Sequence, residues 1–163
     1  MKPKDVLIRI MKRSGRERGI RITSPNFELS EGHIRKSDHN LVVMTDMQRL
    51  GHGDWVAIAA YYAMYHSATA VLVRIGLESK DHAATAASLD YFFGKDVGKE
   101  LLKKFHAARD RNDMTQSLMI ESRFVNKVKD ARDFASRMKL VIAGMDDRIV
   151  EELAKKVREL KEA

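Results

Sequence analysis

The chain has 163 residues, of which 44% are hydrophobic and 33% charged, with two prolines and no cysteine. This length suits one domain with a buried core, and the composition excludes a disordered chain. The lack of cysteine excludes disulfide frameworks and thiolate zinc sites, and it fits the cytoplasmic location that we expect.

The net charge of +7 is concentrated near the N-terminus. Residues 1–21 carry eight basic and two acidic side chains, a net charge of +6, whereas the other 142 residues carry +1. We therefore predict a basic arm and linker over residues 1–29 and a helical domain over residues 30–163. The arm suits either phosphate binding, which weakens as salt rises, or a solvated tail.

In chain order, residues 2–13 are predicted to form a short basic helix. Gly19 and Pro25 interrupt helical structure, so residues 14–29 are predicted to be a linker that is extended in part. Ser30 is the predicted N-cap of a helix that ends near Leu50, before two glycines.

The remainder contains no proline, and further helices are predicted over residues 55–75, 81–93, 97–120, 122–143 and 146–162. Asp54 is the expected cap of the first of these, and Gly94 and Gly98 are expected to bracket a turn. Apolar residues recur every three or four positions in the last two helices, and the loops are short. The pattern predicts an all-α protein, an antiparallel bundle of five to six helices.

The segment 55–75 contains no Asp, Glu, Lys or Arg before Arg74 and is long enough to span a bilayer. Tyrosine, histidine, serine and threonine near its middle favour a core helix, so we predict no membrane contact. A row of small residues should let another helix approach closely, and residues 83–87, which are rich in alanine, are the expected partner. The row comprises Ala59, Ala63, Ser67 and Ala70.

Several kinds of chemistry are not indicated by the sequence. The six histidines lack the i, i+4 spacing with a glutamate that is typical of a helical zinc site, so we predict no metal and no cofactor. There is no phosphate-binding glycine loop and no nucleophile elbow. A nucleotide triphosphatase or a dehydrogenase is therefore not expected.

One helix becomes polar in its middle. Asn112 and Gln116 continue the face that begins with Leu101, Phe105 and Ala108. Such a change indicates either a buried hydrogen-bond network or a binding site, and the alternative is surface ion pairs with one satisfied amide.

Three motifs together resemble the HEPN domain family. The first is Tyr61-Tyr62-Ala63-Met64-Tyr65-His66, the second is Gly76-Leu77 followed by Lys80-Asp81-His82, and the third is Arg111-Asn112 with Gln116 five residues after the arginine. The resemblance implies a helical bundle that pairs as a homodimer, so that two arginine elements line one cleft. It also implies an RNA or nucleotide ligand and, in active members, RNA cleavage without a metal.

By this resemblance Arg111 would hold a phosphate through charge-assisted bonds and Asn112 would position a reacting group. The resemblance implies a wider binding set of Arg109, Arg111, Asn112, Tyr62, His66, Lys80 and His82. Gln116 stands where active members carry histidine. A carboxamide cannot transfer a proton near neutral pH, and such transfer contributes about 10²–10⁴-fold to a rate.

The sequence thus favours a binder of RNA or a nucleotide with weak or absent ribonuclease activity. One alternative is a metal-independent ribonuclease toxin, in which His66, His82 or His106 replaces the missing histidine and a nucleotidyltransferase antitoxin is the partner. Leu118 occupies the place of the tyrosine that such partners modify, which argues against that form of control. The other alternative is a non-catalytic structural or assembly protein. Whether the protein is an enzyme is left open.

Overall fold

The computed structural model describes residues 3–13, 19–117 and 125–160. These ranges contain seven helices and two short strands. Their bounds are α1 Pro3–Arg13, β1 Ile20–Ile22, α2 Phe27–Leu50, α3 Gly53–Val73, β2 Leu77–Ser79, α4 His82–Val97, α5 Lys99–Ser117, α6 Val125–Ala143 and α7 Asp147–Glu159. Six helices follow the N-terminal one, which confirms the predicted all-α class and bundle.

The central helix of the bundle is α3. It is buried at 16 of its 21 positions, and it contacts α2, α4, α5 and α6. Among the described residues it alone is long and apolar enough to cross a membrane, yet 83% of its most apolar stretch is buried inside the protein. A helix that is apolar on every side is expected at the centre of a soluble bundle, and α3 fits that role.

The most extensive helix interface is between α2 and α3. The buried hydroxyls of Ser30 and Ser37 donate to the carbonyl oxygens of Ala70 and Ala63, at 2.8 and 2.7 Å. The helix that approaches the row of small residues at Ala63 and Ala70 is therefore α2, which was not the predicted partner. Helix α4, which carries residues 83–87, also contacts α3. Small side chains on α3 let serines from α2 reach its backbone.

Helix ends differ from the predictions in specific ways. Asn26, not Ser30, caps α2, because its side-chain oxygen accepts a hydrogen bond from the Leu29 amide at 2.8 Å. No side chain caps α3, which begins at Gly53, so Asp54 lies in its first turn. Gly94 lies inside α4, which ends at Val97 and is followed by Gly98, where φ is +87°.

The N-terminal residues pack on the bundle. Leu7 on α1 is fully buried, and α1 lies against α4. Strand β1 pairs antiparallel with β2, with Ile20 opposite Ser79 and Ile22 opposite Leu77. The predicted extended linker thus includes a strand, whereas β2 was not predicted. The domain boundary at residue 30 stays a prediction.

We call residues 19–26 the N-terminal strap. The strap follows the end of α3, since the Thr23 amide donates to the Gly76 carbonyl at 2.8 Å and the Asn26 amide donates to Val73 at 3.0 Å. Gly76 has a φ of +82°, and a Cβ at this position would clash with the Thr23 carbonyl oxygen. Glycine is therefore required where the strap crosses the chain.

Candidate functional site

Six aromatic and imidazole rings form a continuous cluster beside α3, which we call the ring cluster. Its members are His33 on α2, Tyr61, Tyr62, Tyr65 and His66 on α3, and His82 at the start of α4. Residues four apart on a helix share a face, which brings Tyr61 beside Tyr65 and Tyr62 beside His66. Asp81 caps α4 by accepting from the Ala84 amide at 2.7 Å, and this places His82 at the cluster.

His33 and His66 form a direct imidazole pair. Their Nδ1 atoms are 3.0 Å apart and their rings stack with centroids 5.3 Å apart. Burial and the neighbouring His33, Lys36 and His82 lower the pKa of His66 from 6.5 to about 4. Burial also lowers the pKa of His33, against an opposing pull from Glu78. Both rings are therefore neutral at pH 7, and one Nδ1–H donates a hydrogen bond to the other Nδ1.

His82 is held by the tyrosines of α3. The Tyr61 hydroxyl lies 2.8 Å from His82 Nδ1, and the Tyr65 ring lies 4.5 Å from the His82 ring. The Tyr65 hydroxyl donates to the Ser79 carbonyl at 3.3 Å. Burial raises the pKa of Tyr65, so it stays protonated and donates near neutral pH. The tyrosines and histidines between Tyr61 and His82, which carry the family resemblance, thus form one packed network of rings.

The arginine element lies on α5, facing α3 and α6. Arg111 lines a narrow notch, together with Lys127 and Asp130 from α6 and the small or apolar residues Ala57, Ala60, Met64 and Ala108. We call this the Arg111 notch. Arg111 is half-buried, and Asn112 next to it is only 2% exposed. Asn112 is thus a buried polar residue, as predicted. The notch beside it is lined by charged side chains from two helices, α5 and α6.

Other predicted residues lie elsewhere. Arg109 is half-buried and its guanidinium contacts the adjacent Asp110 at 3.0 Å. Lys80 is exposed in the turn between β2 and α4. The backbone of Gln116 belongs to α5, but its side chain lies outside the described residues, as does Leu118.

The predicted site residues thus fall into two groups. Tyr62, His66 and His82 belong to the ring cluster, whereas Arg111 and Asn112 belong to the notch. Tyr61 stacks on Phe105 of α5, with centroids 6.1 Å apart and planes 18° from parallel, and so connects the ring cluster to the helix that carries Arg111. This connection passes through the buried core.

A groove of about 560 Å³ was missed by the sequence reasoning. It lies between the N-terminal strap, α2, α3 and β2, and we call it the strap groove. Its lining comprises Gly19, Ile20, Arg21, Leu29, His33, Thr69, Val73, Glu78, Ser79 and Lys80. The alternation of apolar and charged residues in Ile20-Arg21-Ile22 was the signal available, since it is typical of a strand with one covered face.

The remaining histidine that was considered for catalysis is His106 on α5. Its Nε2 lies 2.8 Å from an oxygen of Asp90 on α4. This contact has two interpretations. It can join the two helices structurally, or the carboxylate can orient the imidazole for catalysis. Within residues 3–13, 19–117 and 125–160, no three histidine or acidic side chains are placed to hold a metal ion.

The fold is a helical bundle around one core helix that carries a single charged residue, Asp54. A ring cluster lies on that helix and an arginine element on a neighbouring one, and these features define the class of protein. The family model for the HEPN domain matches residues 30–163. The chain therefore belongs to the HEPN family, whose domains have RNA-binding and ribonuclease-like roles. A comparison with curated proteins gave no match to this chain.

Proposed function

We propose that this HEPN protein binds RNA or a nucleotide through phosphate contacts at the Arg111 notch, and that it works as a homodimer. One observation carries the proposal: Arg111 on α5 and Lys127 on α6 line the same notch. The notch encloses only about 10 Å³, so a phosphate would lie across its mouth, where two basic side chains from separate helices supply charge-assisted hydrogen bonds.

The charge balance of the notch supports an anionic ligand. Its one acidic lining residue, Asp130, contacts Lys104 at 2.8 Å. The carboxylate is thus neutralised from the α5 side. Arginine suits this position better than lysine, because its planar guanidinium makes two parallel bonds to one phosphate.

The test is RNA binding measured by fluorescence anisotropy with a short labelled single strand in EDTA at low salt. Arg111→Ala should weaken binding by about tenfold, the value of one charge-assisted contact. Arg111→Lys should recover only part of that loss. Lys103→Ala, at an exposed lysine on the same helix, is the matched control.

Circular dichroism and thermal unfolding establish that each variant stays folded. If folded Arg111→Ala binds RNA as the wild type does, the notch is not the site. If the wild-type protein has no RNA affinity even at low salt, where electrostatic binding is strongest, the structural or assembly role is favoured instead.

A metal-independent ribonuclease is the second candidate, and the His106–Asp90 contact favours it. His106 lies five residues before Arg111 on α5, and Asp90 would hold its ring as the carboxylate of a catalytic dyad does. Cleavage of RNA in EDTA that is lost in both Arg111→Ala and His106→Ala would support this candidate. Only in that case do we extend the proposal to a nucleotidyltransferase partner.

A further inference from the structure

We propose that the strap groove is a second ligand site, which binds a small planar compound with one anionic group. The ligand would be a ring system of about nucleobase size that carries one phosphate or carboxylate. The groove has a volume of about 560 Å³. Sites for small molecules enclose about 300–1,000 Å³, so one ring system and one anionic substituent fit.

The walls of the groove are apolar and come from three different elements. Ile20 from the strap, Leu29 from α2 and Val73 from α3 line it. Aliphatic side chains on several sides suit a flat apolar ring, because they remove both of its faces from water. This geometry sets the planar part of the predicted ligand.

The rim of the groove is net positive. Arg21 and Glu78 face each other across the strand pair and form an ion pair, so their charges offset. Lys80 also lines the groove, is exposed, and makes no ion pair with any residue in the described ranges. With Glu78 neutralised and His33 uncharged at pH 7, the charged lining residues leave one positive charge at the mouth. This charge selects an anionic substituent on the ligand.

The imidazole pair gives the groove an adaptable polar group. His33 lines the groove, and its Nδ1 faces His66 Nδ1 at 3.0 Å, which leaves Nε2 as its remaining hydrogen-bonding atom. If Nδ1 of His33 donates to His66, Nε2 accepts from a ligand. If Nδ1 accepts from His66, Nε2 carries the proton and donates. His66 compensates in either case, so the groove can pair with a donor or an acceptor on the ring.

The strap groove is separate from the Arg111 notch. The notch is lined by α3, α5 and α6, whereas the groove is lined by the strap, α2, α3 and β2, and they share no lining residue. Gly19, Ile20 and Arg21 precede the residues that the HEPN model matches. The groove therefore includes residues outside the family match, and the proposal does not depend on RNA binding at Arg111.

The experiment is isothermal titration calorimetry of the full chain with five probes. These are adenosine 5′-monophosphate, adenosine, 1-naphthyl phosphate, 1-naphthoate and inorganic phosphate. We expect the adenosine monophosphate and at least one naphthyl anion to bind with a Kd of about 1 mM or tighter, since the ring and the anion each contribute. Adenosine and phosphate alone should bind at least about tenfold more weakly. The two naphthyl probes distinguish a phosphate from a carboxylate.

Two variants locate the site. Lys80→Glu should weaken anion binding by about tenfold, whereas Lys103→Glu, the same charge change at an exposed lysine on α5, should leave it unchanged. Leu29→Trp should weaken binding by occupying part of the groove, and Lys80→Glu tests the site independently if the tryptophan variant does not fold. Arg111→Ala should bind the probes as the wild type does.

The proposal is overturned if no ring-containing anion binds at about 5 mM, well above the expected Kd. It is overturned as well if adenosine binds as tightly as its monophosphate, or if Lys80→Glu and Lys103→Glu have equal effects. If Arg111→Ala loses probe binding while Lys80→Glu keeps it, the probes bind in the Arg111 notch. RNA binding is measured separately on the same variants, so that failure of the groove site and failure of the notch site can be told apart.

Discussion

Gly76 illustrates how one residue can determine the path of a distant segment. It lies three residues after Val73, the last residue of α3, with a φ of +82°, and its carbonyl accepts a hydrogen bond from the Thr23 amide at 2.8 Å. The strap can approach so closely only because residue 76 has no Cβ. The groove wall and the β1–β2 pair both depend on this contact.

We therefore predict that Gly76→Ala lowers the free energy of unfolding by about 2–4 kcal/mol. The left-handed backbone costs an alanine about 1–2 kcal/mol, and the clash with Thr23 adds a comparable overpacking cost. Gly51→Ala is the matched control, since φ is +78° there and nothing lies within 4 Å of an added Cβ. It should cost only the backbone contribution of about 1–2 kcal/mol. Equal losses in urea denaturation would show that the strap contact is unimportant.

The His33–His66 pair should make stability depend on pH. The pKa of His66 is about 4 in the folded protein and near 6.5 when it is unfolded, so the unfolded chain binds more protons between these values. Stability from this group is complete above pH 6.5, falls as the pH drops towards 4, and is constant below that. His66→Gln should flatten this part of the profile.

Urea midpoints measured from pH 7 to pH 4 check this prediction. His39→Gln, at an exposed histidine on α2, is the control and should keep the wild-type slope. A His66→Gln profile that is as steep as the wild-type profile would mean that other groups cause the acid sensitivity.

At the scale of elements, α1 is more than a charged tail. Leu7 is fully buried, and α1 packs on α4. Lys4 and Arg9 on the same helix are exposed. The helix therefore buries one apolar face while it presents basic side chains to solvent, as an amphipathic surface helix does.

Leu7→Ala is expected to reduce the free energy of unfolding by about 2–4 kcal/mol, the usual cost of removing a fully buried leucine side chain. Denaturation monitored by circular dichroism gives the value. Leu140→Ala is the control, because Leu140 is 67% exposed and its loss should change stability by at most about 0.5 kcal/mol. A Leu7 effect no larger than the control would mean that α1 does not dock in solution.

At the scale of the whole molecule, the uneven charge sets how the protein meets a polyanion. Residues 1–21 carry a net charge of +6, out of +7 for the whole chain. A cation-rich segment raises the local concentration of nucleic acid and makes binding sensitive to salt. The basic arm would then attract RNA to the protein, and the Arg111 notch would bind one phosphate at a fixed position.

The double variant Lys4→Glu/Arg9→Glu should weaken RNA binding more at low salt than at high salt. The slope of log K against log salt should fall by about 0.7 for each phosphate contact that is lost. Lys155→Glu/Lys156→Glu on α7 makes the same charge change at exposed positions and is the control. If both pairs have the same effect in anisotropy titrations, only net charge matters and the arm has no special role.

Local patterns were sufficient for much of this protein. The 3.6-residue periodicity, the glycines and the absence of proline after residue 25 predicted the helices, because helical hydrogen bonds join residues only four apart. The uncharged run before Arg74 identified the core helix, and its Tyr-His motif identified the HEPN family. Asn112 was correctly placed in the interior, since the apolar face of its helix could be followed from Leu101.

The tertiary structure alone decided which distant segments meet. His33 and His66 are 33 residues apart in sequence, and no local pattern indicates that their Nδ1 atoms approach to 3.0 Å. The choice of α2 as the partner of the small-residue row and the pairing of β1 with β2 are long-range contacts of the same kind. Such contacts depend on how whole elements pack around α3. The composition and periodicity of this sequence therefore determined its helices and its family, and packing determined its ring cluster, its notch and its strap groove.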